Sequence, residues 1–146
     1  MQVKVYSVCC GKTVNIEDVG DETFSRKILG DGVAVIPEDA YVSAPFDGRV
    51  DSVFPTKHAL VISDGDVSVM IHIGINTVEL KGKPFELLVK EGKKVKKGQP
   101  LVKVDYQWIK EHNIDNTVLV ILLEKEIKSK IGKGVSVDRN TVLFEC

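Results

Sequence analysis

Apolar and polar residues alternate with a period of two over much of this chain, the pattern of strands with one buried face. Between residues 67 and 74, Val67, Val69, Ile71 and Ile73 point one way, and Ser68, Met70, His72 and Gly74 the other. Between 56 and 63, Ala59 and Val61 share one face, while Thr56, His58, Leu60 and Ile62 share the opposite one. The intervening Asp64-Gly65-Asp66 is a turn signal. A three-residue loop sets Ser63 opposite Val67, Val61 opposite Val69, and His58 opposite His72. Directly opposed residues in an antiparallel pair have Cβ atoms roughly 4.5–5.5 Å apart. A two-residue Asp64-Gly65 loop would put Lys57 opposite His72 and pair residues from opposite faces, so the longer loop is preferred. Thr56 then lies beside Gly74, on the face of both imidazoles.

The same reading extends along the chain. Residues 3–19 form one or two short strands with a bend at Gly11. Residues 23–29 fit an extended loop or a single helical turn. Val33 to Ile36 is a buried strand stopped by Pro37, and 49–54 alternates as another. Residues 85–89 and 101–104 are further strands, and Asp105 is placed to cap a short helix through Trp108 and Glu111. His112 falls in that polar segment, exposed and idle. Residues 117–123 are an apolar strand, 124–131 fits strand or helix, and 135–144 closes the chain with strands. Short strands with Gly or Asp turns about every ten residues predict an all-β, antiparallel sandwich or barrel with at most short helices. No linker or low-complexity segment divides residues 1–146, so one domain is expected.

Composition narrows the function. With 20 basic and 21 acidic residues the net charge is −1, which argues against a nucleic-acid binder. No apolar run reaches the roughly 18–20 residues of a membrane span, so no membrane insertion is expected. Residues 1–10 lack a signal-peptide core. Cys9, Cys10 and Cys146 are odd in number and make no disulfide framework, which points to a reducing, cytoplasmic setting with buried strand cysteines. The lysines at 93, 94, 96 and 97 read as a solvated turn.

Paired histidines support few chemistries here. A zinc site needs three or four ligands, and no Cys-x-x-Cys, His-Glu-x-x-His or His-x-His is present, so neither metal nor cofactor is expected. Gly-x-Ser-x-Gly and Gly-rich phosphate loops are absent as well. Histidine itself can be the nucleophile. A carbonyl that accepts the Nδ1 proton leaves Nε2 with the free lone pair, and the Gly74 carbonyl is suitably placed. A second imidazole and a hydroxyl nearby can donate to a transferring phosphoryl group.

The stretches VNIEDVGDETFSRKILGDGVAV (14–35), VSAPFDGRV (42–50), PTKHA (55–59), IHIGINTVELKG (71–82) and EGKKVKKGQPLVKVD (91–105) resemble the glucose-type enzyme IIA of the bacterial phosphoenolpyruvate–sugar phosphotransferase system. The resemblance implies a β-sandwich with a shallow apolar depression around the histidines. His72 matches the residue phosphorylated on Nε2, His58 the supporting histidine, Thr56 the neighbouring hydroxyl, and Gly74 the orienting carbonyl. It implies phosphorylated HPr as donor and a cysteine of a sugar-specific IIB domain as acceptor. Phe24, Leu29, Phe54, Leu60, Met70 and Val78 fall where the family has its apolar docking rim.

One position departs from the family pattern. Asn76 stands where an Asp is usual, and that acid, with the one matching Asp21, is expected to meet an arginine of HPr. Three other readings compete. Residues 91–101 resemble a hairpin of biotinyl and lipoyl carriers, without their Met-Lys-Met or Asp-Lys-Ala. A non-catalytic regulatory module of the same fold is the second, and the intact histidine pair speaks against it. A metallopeptidase on a similar scaffold would lack its third ligand.

Overall fold

The computed structural model describes residues 2–146. Its strands run in the order β1 (Lys4–Tyr6), β2 (Gly11–Asn15), β3 (Gly32–Pro37), β4 (Tyr41–Ser43), β5 (Gly48–Val53), β6 (Ala59–Ser63) and β7 (Ser68–Ile73). They continue with β8 (Phe85–Leu87), β9 (Lys94–Val95), β10 (Pro100–Val104), β11 (Val118–Leu123), β12 (Ser129–Lys130), β13 (Ser136–Val137) and β14 (Val142–Glu145). Two short helices, α1 (Glu22–Ser25) and α2 (Tyr106–Glu111), are each capped by an aspartate. Asp21 accepts from the Thr23 amide and Asp105 from the Trp108 amide, which satisfies amides that a helix start leaves open. Residues 23–29 thus resolve as a single turn of helix followed by turns.

An eight-stranded sheet, ordered β13-β2-β3-β11-β7-β6-β5-β9, faces two three-stranded sheets, β1-β14-β12 and β4-β10-β8. All the ladders are antiparallel. The arrangement is an open sandwich, with the pairing order running from β13 to β9 without closing into a barrel. The main core fills the space between the sheets, with Leu60, Ile62, Val69, Ile71 and Ile73 from the large sheet meeting Val42, Leu101, Val102 and Phe144. The outer face of the large sheet carries a smaller apolar layer of Ala34, Val61, Met70, Leu119 and Ile121, covered by Ile16, Phe24 and Ile75. The histidines lie at the rim of that layer.

The β6–β7 register differs from expectation by one residue. Ser63 pairs with Ser68, Val61 with Met70, and Ala59 with His72. The loop has four residues, Asp64 to Val67, closed by Asp64 N–H to the Val67 carbonyl at 3.1 Å. The Asp64 carboxylate accepts from the amides of Asp66 and Val67, and these added bonds favour the longer turn. Leu60 consequently lies on the main-core side, fully buried, and has no surface to offer a docking partner. Residues 124–131 are neither a full strand nor a helix: only Ser129–Lys130 pair, against β14. Cys9 is buried in the bend between β1 and β2 rather than in a strand, where burial pushes its thiol up to about 12.

Candidate functional site

His72 occupies the middle of the large sheet, on β7 between Leu119 of β11 and Ala59 of β6. Strands on both sides fix its backbone, and the Phe24 ring of α1 rests against its imidazole at 4.7 Å. His58 precedes β6. Lys57 before it takes a left-handed conformation (φ 61°), which breaks the alternation of the strand. Ile73 donates its amide to the His58 carbonyl at 2.7 Å, so the two chain segments stay joined at that point. The imidazoles of His58 and His72 meet edge to face, 4.9 Å between centroids. The two rings are therefore adjacent, as the sequence pattern predicts, although they are not directly opposed in the ladder.

Polar partners fix the rings further. His72 Nδ1 donates to the Gly74 carbonyl at 2.8 Å. A carbonyl oxygen only accepts, so the proton of the neutral ring is on Nδ1 and Nε2 keeps its lone pair. Thr56 Oγ1 bonds to His58 Nδ1 at 2.6 Å, so the hydroxyl serves His58 rather than lying against Gly74. The Phe54 ring stands edge-on to His58 at 5.4 Å. Burial pushes the His72 pKa down to about 4 from the ordinary 6.5, and the adjacent His58 adds to the shift. The Gly74 carbonyl and Asp21 oppose it but do not overcome desolvation. Burial also lowers His58. Both rings are neutral at physiological pH, and a neutral ring is the nucleophilic form.

The remaining rim residues divide by exposure. Leu29, Phe54, Val78 and Asn76 are exposed, whereas Phe24, whose ring rests on His72, and Met70 are buried. Asp21 caps α1 beside them. Sequence reasoning missed the residues that shape the turn after His72. Thr77 Oγ1 donates to the Ile73 carbonyl, and Asp115 and Thr117 offer carbonyls to the amides of Ile75 and Gly74. The Asp-x-Thr spacing of 115–117 was a readable turn signal. Among the described residues no group of three or more His, Cys, Asp or Glu is arranged to hold a metal. Likewise, no helix among them is long and apolar enough to cross a membrane.

The open β-sandwich thus presents a neutral imidazole whose Nδ1 is tied to a carbonyl, beside a second imidazole. Residues 3–127 match the family described as phosphoenolpyruvate-dependent sugar phosphotransferase system, EIIA 1, and the chain belongs to that family. Its members are phosphotransferase components of sugar uptake. The chain is 46% identical over 120 residues to the PTS system glucoside-specific EIICBA component of Staphylococcus carnosus. It is 48% identical over 120 residues to the PTS system glucose-specific EIICBA component of the same organism. Each match takes in 82% of this chain but only 17% or 18% of the relative, so the chain spans about a sixth of those proteins. The fold matches glucose permease IIA from Mycoplasma capricolum with a TM-score of 0.90 and 30% identity, covering 99% of this chain and 96% of that one.

Proposed function

We propose that this chain, as one domain over residues 1–146, is a phosphohistidine carrier that accepts a phosphoryl group on His72 Nε2 from phosphorylated HPr and passes it to the cysteine of a sugar-specific IIB domain. The observation that carries the proposal is the 2.8 Å bond from His72 Nδ1 to the Gly74 carbonyl, which leaves Nε2 as the free nucleophile. In the first step the Nε2 lone pair attacks phosphorus, and the bond from phosphorus to the donor's histidine nitrogen breaks as the new P–N bond forms. The Nδ1 proton stays on the ring. In the second step the acceptor's thiolate attacks phosphorus, and the bond to Nε2 breaks and returns its lone pair. His58 sits where it can donate to the phosphoryl oxygens while charge is spread over them.

The docking surface of this reading is apolar with a weak acidic edge. Leu29, Phe54 and Val78 offer exposed apolar surface, while Phe24 packs its ring against His72 and Met70 is buried. Asp21 supplies the charge for a basic partner, and Asn76 a neutral hydrogen-bonding group. Three free cysteines fit a cytoplasmic setting for the reaction.

The test is incubation with radiolabelled phosphoenolpyruvate, enzyme I and HPr. The expected product carries label that is lost in acid and kept in base, as a phosphoramidate requires, and His72→Ala takes up none. Acid-stable label, or full labelling of His72→Ala, refutes the assignment.

A further inference from the structure

We propose that Thr77 and Asp115 are positioning residues: through the backbone of Gly74 they set which nitrogen of His72 carries the proton. The proposal rests on the carrier reading for its consequence in catalysis, but not for its structural claim. Two successive peptide groups follow His72, and each is held at both ends. In the Ile73–Gly74 peptide, the carbonyl accepts from Thr77 Oγ1 at 2.6 Å and the amide donates to the Thr117 carbonyl at 2.8 Å. In the Gly74–Ile75 peptide, the amide donates to the Asp115 carbonyl at 3.0 Å and the carbonyl accepts from His72 Nδ1 at 2.8 Å. A peptide plane held by its N–H and by the plane before it has little freedom to rotate its oxygen away.

The clamp has a side-chain origin at each end. Thr77 is completely buried. Its hydroxyl fixes one carbonyl, and its methyl closes over Gly74, where an added Cβ would come within 2.5 Å of Cγ2. Asp115 acts from outside. Its carboxylate accepts from the Thr117 amide at 2.9 Å and the Thr117 hydroxyl at 2.6 Å, which turns residues 115–117 so that both carbonyls face the Gly74 turn. Gly74 itself has φ 81°, a conformation open to it because it lacks Cβ. Neither Thr77 nor Asp115 is hydrogen-bonded to an imidazole. Their effect passes through the peptide, and a neutral imidazole released from that carbonyl is free to move its proton to Nε2, where it blocks the lone pair.

Nitrogen-15 NMR of His72 in the unphosphorylated full chain tests this without any donor. The wild type should be almost wholly the Nδ1–H tautomer. Thr77→Val keeps the shape and removes the hydroxyl, and it should populate the Nε2–H tautomer, with Thr77→Ser restoring the original. Asp115 is exposed, so Asp115→Ala should fold and show the same partial shift even if the buried variant does not fold. Transfer from phospho-HPr should fall in proportion to the share of His72 that leaves the Nδ1–H tautomer, since only that form has the free Nε2 lone pair. Wild-type tautomer populations in folded Thr77→Val, or in Asp115→Ala when the valine variant does not fold, overturn the proposal. A shifted tautomer with unchanged phosphorylation would instead count against His72 Nε2 as the acceptor.

Discussion

At the residue scale, His72 combines a low pKa with a fixed proton, and the two have different causes. Burial keeps the ring neutral, while one carbonyl decides which nitrogen is bare. In the folded chain His72 protonates at about 4, against 6.5 for an ordinary histidine. Between those values the unfolded chain binds protons more readily, so the stability tied to this group is complete above pH 6.5 and declines as pH falls toward 4. The His72 NMR shifts should therefore hold steady from about pH 8 to 5.5. Stability by urea titration should fall less steeply with acid in His72→Gln than in the wild type. His58 calls for a different experiment. His58→Gln keeps a donor of similar reach but cannot become cationic. It should retain phosphorylation of His72 and near-normal HPr affinity, with onward transfer slowed by roughly 10²-fold. Single-turnover transfer in both directions measures this. Unchanged rates remove the role given to His58, and weakened HPr binding with normal transfer reassigns it to docking.

At the element scale, the longer strands and the Asp105-capped helix follow from alternation and turn chemistry, whereas α1, the two-residue strands β9 and β12, and the faces of β6 do not. Ala59, Leu60, Val61 and Ile62 are all buried, because the large sheet has apolar material on both sides. Alternation of apolar with polar carries no information where both faces are dry, so Leu60 cannot be assigned to a side from its neighbours. The register then depended on the loop, and the bonds to the Asp64 carboxylate lengthened it by one residue. The histidine pair was legible all the same, since left-handed Lys57 brings His58 to the ring of His72 despite the shift. The turn at Asp115 was legible as Asp-x-Thr, but its docking on the Gly74 turn was not, because the bonds from the Gly74 and Ile75 amides to the Thr117 and Asp115 carbonyls join segments far apart in sequence. The turn after β7 also exposes Asn76 in a left-handed conformation (φ 59°), which asparagine tolerates well. Asn76→Asp restores a negative charge at this edge. HPr should associate faster with it, and the gain should shrink with salt. Equal association rates in stopped flow at low and moderate salt would place the residue outside the docking edge.

At the scale of the whole molecule, one arginine ties distant segments together. Arg139 donates two bonds to the Asp39 carboxylate, at 2.7 and 3.1 Å. It donates further to Ser43 Oγ at 2.8 Å and the Tyr41 carbonyl at 2.6 Å. These join the turn before β14 to the connection between β3 and β4. The pair is about a quarter exposed, so solvent screens part of the attraction. Arg139→Met should cost about 1–3 kcal/mol, mostly by stranding Asp39 and the Ser43 hydroxyl. The urea midpoint measures it, and an unchanged midpoint would mean that water replaces the guanidinium without loss.

The pairing of β1 with β14 has a mechanical consequence. Val3 and Cys146 exchange backbone hydrogen bonds at 2.8 and 3.0 Å, and Lys4 stands opposite Glu145. Val3 and Cys146 therefore stand side by side at the same end of an antiparallel ladder. Tension applied between them loads those bonds one after another, like a zipper, rather than all together in shear. β1 lies at the edge of a small sheet separate from the one that carries the histidines. A chain pulled by its ends would yield first at low force in that sheet, with the imidazole pair still in place.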